Sequence, residues 1–152
     1  MANSQAMCTS FKAELLNGVH AFGTTVARGG TGADTFKLAL YLASGSLGAG
    51  TTAYSSTSEL AATGNYAAGG NTVTNGSAPT SSGTTAYWTP SASVQWTSFT
   101  SSGSFDAALL YNSTQSNKAV AVFTFSAQSV ASGTFTLTMP TNDSSNALIR
   151  IA

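Results

Sequence analysis

Charge is what this sequence has least of. Only 7% of its 152 residues are Asp, Glu, Lys or Arg, five acidic against five basic, where a globular domain usually carries about 25%. Phosphate binding needs clustered Lys and Arg, so nucleic acid is excluded as a partner, and anionic membrane surfaces fall on the same ground. A single cysteine, Cys8, rules out an intramolecular disulfide and is expected to be buried. With one histidine, His20, no His pair exists to hold a metal, and no metal or other cofactor is expected. The longest apolar runs fall far short of the ~20 residues that cross a bilayer. The first ten residues have neither the cationic start nor the apolar centre of a secretory signal. The expectation is a product made in a cytoplasm that leaves it only inside something larger.

What is present is ordinary apolar content, 42%, enough for one domain with a core of its own. Polarity comes from Ser and Thr, about three residues in ten. Hydroxyls bond to backbone and to each other, and Thr suits a pleated surface. A neutral, hydroxyl-rich surface has little self-repulsion to keep copies apart. Such a chain belongs in an assembly.

Two periodicities organise it. Residues 1–8 show none and read as a flexible arm. From 9 to 22, Phe11, Leu15, Val19 and Phe22 recur at helical spacing. Thr9 or Ser10 is available as cap, Glu14 lies near the first turn, and Gly23 follows the last periodic residue. After the Gly-rich stretch 28–33 the period becomes two. In 35–43, Phe36, Leu38, Leu40 and Leu42 face one way and Lys37, Ala39 and Tyr41 the other. Further strands are expected at 71–74, 84–89, 93–99, 105–111, 118–125, 133–139 and 147–151, separated by turn-forming residues. Short strands at this spacing predict a mainly β fold, an antiparallel β-sandwich with jelly-roll or immunoglobulin-like order and one N-terminal helix. Residues 9–152 are taken as one domain.

The chemistry available is sparse. Glu14, Asp34, Glu59, Asp106 and Asp143 are scattered singly, with no pair spaced for acid–base work. Gly29, Gly30 and Gly32 lack the Lys and the helix of a phosphate loop. No catalytic residue is assigned, and the chain is expected not to be an enzyme. The residues singled out for partner binding are Met7 and Cys8 in the arm, and the adjacent aromatics Tyr87 and Trp88. As neighbours on a strand these two rings face opposite ways, which leaves one ring for a partner or a sugar and one for the core.

Several segments then carry a likeness. Residues 10–22 (SFKAELLNGVHAF), 34–41 (DTFKLALY), 66–70 (YAAGG), 110–112 with 118–122, and the ending 146–151 (NALIRI) resemble a family of small virion-associated structural proteins of tailed bacteriophages. The likeness spans nearly the whole chain, and its motifs are structural. It implies a capsid decoration, or cement, protein on the outside of the virion. Its partners would be the major capsid protein and copies of itself, as homodimer or homotrimer. The alternative is a tail or fibre component, including a receptor- or glycan-binding module.

Overall fold

The structure is a computed structural model, and it describes residues 2–24, 32–61 and 63–152. Its centre is a set of strands in which most side chains are apolar. These are β2 (Phe36–Leu42), β7 (Phe105–Asn112) and β8 (Lys118–Gln128), with β1 (Ala6–Met7) and β3 (Asn71–Thr72) at the edges, in the order β1-β8-β7-β2-β3. A second sheet joins β10 (Ile149–Ile151), β5 (Thr85–Trp88) and β4 (Thr80–Ser82), and a third pairs β6 (Val94–Phe99) with β9 (Gly133–Leu137). All pairings are antiparallel. The architecture is the expected mainly β sandwich with one short helix, α1 (Thr9–Leu16).

Cross-strand partners share a face of the sheet. Phe36, Leu38 and Leu40 therefore lie beside Asn112, Leu110 and Ala108, while Lys37, Ala39 and Tyr41 lie beside Tyr111, Leu109 and Ala107. The first face meets the second sheet. Phe22 stacks flat on Phe36 at 4.4 Å, and the Trp88 ring from β5 lies 4.8 Å from Phe22. The other face is buried as well, with Ala39 and Tyr41 fully enclosed. The long connection between β2 and β3 folds back over it, stacking Tyr54 on Tyr111 at 4.8 Å. The third sheet closes one end: Phe135 meets Phe105 edge-on at 5.0 Å, and Trp96 stacks on Tyr66 and Phe135. Each fully buried Leu or Phe here contributes about 1.5–3 kcal/mol.

Two expectations at the N-terminus are corrected. The helix ends at Leu16, not near residue 22. Gly18 adopts φ +65°, its N–H bonds to the Leu15 carbonyl, and the Val19 N–H bonds to the Glu14 carbonyl, both at 3.0 Å. This is a Schellman stop with glycine in the left-handed position, where glycine alone is unstrained. Phe22 keeps the apolar period because the chain leaves the helix and lays it on Phe36. The helix start is Cys8, with no side-chain cap; neither Thr9 nor Ser10 serves.

Residues 2–8, read as a flexible arm, are held by the sheet. Ala6 and Met7 pair with Val122 and Ala121, and Cys8, fully buried, donates its N–H to the Val120 carbonyl at 3.0 Å. The Asn3 amide bridges the Leu42 carbonyl, the Leu47 N–H and the Asp106 carboxylate, the last at 2.6 Å. The unpaired edge of β8 supplies the backbone partners that the segment lacks by itself.

Candidate functional site

The four residues singled out from sequence do not converge. Met7 lines an open cleft of about 580 Å³ with Phe123, Thr85, Leu148 and Arg150, between the edge of the large sheet and the C-terminal strand. Cys8, one residue on, is sealed in the core, and burial followed by the nearby Glu14 charge pushes its thiol up to about 11. It is a packed, unreactive thiol. Tyr87 and Trp88 point to opposite faces of β5 as alternation requires. Trp88 is the core ring, with its indole N–H donated to the Ser77 carbonyl at 2.9 Å. Tyr87 is the half-buried one, cross-strand from Thr80 and Arg150.

Sequence reasoning missed what the fold does with its few charges. It brings four of the ten formal charges, with His20, into two largely buried polar clusters. In the first, Glu14 of α1 accepts from Lys118 Nζ at 2.6 Å and from His20 Nε2 at 2.8 Å. The other ring nitrogen, Nδ1, faces Asn112 Nδ2 at 3.0 Å. Asn112, fully buried at the end of β7, also donates to Asp34 Oδ2 at 2.8 Å, and that same oxygen accepts the Ala21 N–H at 2.7 Å. Asn112 Oδ1 takes the Thr114 and Gln115 N–H groups, both at 3.1 Å, which fixes the amide orientation. Burial lowers the His20 pKa, outweighing the pull of Glu14 toward the charged form. For Glu14 burial pushes upward, but the hydrogen bonds from Lys118 and His20 win and hold the carboxyl below its usual range.

The second cluster sits under the long connection. Glu59, buried, accepts from Tyr54 Oη at 2.6 Å, Tyr66 Oη at 2.9 Å and the Gly69 N–H at 2.7 Å. Tyr66 Oη in turn accepts the Leu40 N–H at 3.0 Å, and Tyr111 Oη donates to the Gly69 carbonyl at 2.7 Å. Burial raises all of these phenols first and the Glu59 charge raises them further, Tyr111 to about 12. The donors around Glu59 come from one stretch, residues 54–69, so the cluster closes a loop on itself.

Chemically, both clusters are satisfied hydrogen-bond networks that tie segments together. Among the described residues, no three His, Cys, Asp or Glu side chains are grouped to hold a metal ion, and no helix is long and apolar enough to cross a membrane. Comparison with known proteins returns no matching family model, no matching curated sequence and no matching solved structure. No spacing rule in the sequence points to Asp34, Asn112 or Glu59, because their partners lie across loops and sheets.

Proposed function

We propose that this chain is a structural protein of a bacteriophage virion, a decoration subunit that binds the assembled head shell and raises its resistance to rupture. The observation that carries the reading is where the charges go. Glu14, Lys118, His20, Glu59 and Asp34 are engaged in holding the fold together, which leaves Lys12, Lys37, Asp106, Asp143 and Arg150, among the described residues, as thinly spread charges on a surface otherwise made of hydroxyls and amides. Such a surface suits many weak, repeated contacts on a symmetric shell, where avidity replaces a strong single site. The likeness of the helix and strand segments to small virion proteins supports the same reading. The major capsid protein and further copies of the chain are the partners it implies.

Two measurements test it. Quantitative gels of purified particles should show hundreds of copies per particle; a dozen or fewer would move the assignment to the tail or fibre. Particles stripped of the protein should take it back and then resist heating better, because a ligand of the assembled state alone stabilises that state by mass action. Rebinding should be as complete in roughly 1 M sodium chloride, where the Debye length is ~3 Å, as at low salt. Binding abolished by salt would reject a neutral interface.

A further inference from the structure

We propose that the N-terminal segment, residues 2–24, is an acid-released clasp: a buried hydrogen-bond chain through His20 locks it to the sheet while the imidazole is neutral, and protonating Nδ1 opens it. The inference is carried by the geometry of the hydrogen-bond chain and is independent of where the protein works.

The polarity of the chain is set at its far end. The Thr114 and Gln115 N–H groups occupy Asn112 Oδ1, so Asn112 must present its NH₂ to His20. One of its hydrogens goes to Asp34 and the other to Nδ1. An acceptor at Nδ1 means that Nε2 carries the proton and donates it to Glu14, whose second oxygen is held by Lys118. One neutral tautomer satisfies every partner. A second proton on the ring would set two N–H donors against each other at 3.0 Å in a side-chain site with no solvent access. Asn112 cannot answer by turning over, since that would strand two backbone N–H groups.

Among the described residues, the charged groups facing His20 come from three places: Glu14 from α1, Asp34 from the segment before β2, and Lys118 from β8. The rest of its surroundings are rings. Phe11 stands edge-on at 4.9 Å, and Phe22 and Phe36 lie at 6.4 and 6.5 Å. The two carboxylates favour a charged ring, Lys118 and burial oppose it, and the opposition prevails. The unfolded ring takes its proton near 6.5, so the neutral lock is at full strength above that pH and is lost as pH falls through the lower folded value. What lets go is the segment that His20 anchors. The Ala21 N–H is held by Asp34, and Phe22 and Phe11 pack against the same ring. Helix α1 is fixed to β8 through Glu14 and Lys118, and β1 follows it.

The test uses the full-length protein between pH 8 and pH 4.5. Imidazole ¹⁵N shifts should show an unprotonated Nδ1 and a protonated Nε2 at pH 7.5, and a titration midpoint below 6.5. Amide protection factors in residues 6–24 should fall by up to about tenfold per pH unit between pH 6.5 and that midpoint and level off below it, while the β7–β8 ladder keeps its protection. In His20→Gln, which cannot take up a proton, the pH step in residues 6–24 should vanish. Nδ1 protonated at pH 7.5, a midpoint at or above 6.5, or equal loss of protection in β7 and β8 would each overturn the clasp. If the Gln variant does not fold, the wild-type shifts and protection factors decide the matter alone.

Discussion

The two buried polar clusters answer the same problem, a charge taken out of water, in opposite ways. Glu59 is met by donors from its own neighbourhood, residues 54–69. It is a local closure that turns an irregular connection into a lid over the sheet. Glu14, His20, Asp34, Asn112 and Lys118 are drawn from α1, the loop after it, the approach to β2 and the ends of β7 and β8. That network is a long-range tie. The first stiffens one segment, whereas the second decides whether separate segments stay together. Only the second contains a histidine, whose ordinary pKa lies nearest neutrality and is lowered here by burial.

Substitutions can break this contrast, and the largest effect is expected at Gly70. It closes the Glu59 loop at φ +67°, where an added Cβ would lie 1.8 Å from the Leu38 carbonyl oxygen. Gly70→Ala should lose more than about 4 kcal/mol, the range kept for backbone clashes at special positions; urea unfolding measures it. Next is Glu59→Ala, which strands the buried Tyr66 hydroxyl and Gly69 N–H. With roughly 1–3 kcal/mol for each orphaned group, a loss of about 2–6 kcal/mol is expected, and protection of amides 54–69 should fall first. If amides 9–24 open first instead, the two clusters are not separate units.

The long-range tie should respond to pH. Both His20 and Glu14 have folded pKa values lowered from 6.5 and 4.5, so the unfolded chain binds more protons below those values. Stability is then fully present above pH 6.5 and declines as pH falls, first through His20 and then, below 4.5, through Glu14. Thermal melts between pH 8 and 4 should show the melting temperature level at the top and falling toward acid. Glu14→Gln should remove about 1 kcal/mol at pH 7, because Lys118 is partly exposed and its attraction is screened. The smallest effect is expected at Leu16, a lone exposed side chain after the last buried turn. Leu16→Ser should stay within ~0.5 kcal/mol of wild type, and a larger loss would mean that this residue is covered in solution.

The strands were legible because their signals are local. Alternation in β2 and β9, and the polar turns around β7 and β8, give those elements nearly the bounds observed. The helix was overrun because Val19 and Phe22 continue its spacing, although Gly18 already carried the stop signal as a left-handed cap. Strands β1 and β4 were not legible: two and three residues leave no period to read, and β1 exists through the edge of β8. The clusters were hidden for another reason. Asp34 and Asn112 lie 78 residues apart, and their meeting is decided by the register of β2 on β7.

That register also sets an order of events during synthesis. Leu38 pairs with Leu110 and Leu40 with Ala108, about 70 residues apart, whereas β7 finds β8 across one short turn. At roughly 5–20 residues per second, the most apolar strand waits some 4–14 s on the ribosome before its partner emerges. Until then Phe36, Leu38 and Leu40 have no sheet to enter. The β7–β8 hairpin is therefore the natural template, and β2 docks on it late, at the slow rate that distant pairing imposes. A nascent chain with ten charges has little electrostatic protection during that wait, so its yield should depend on translation speed and chaperone supply more than on the stability of the finished fold.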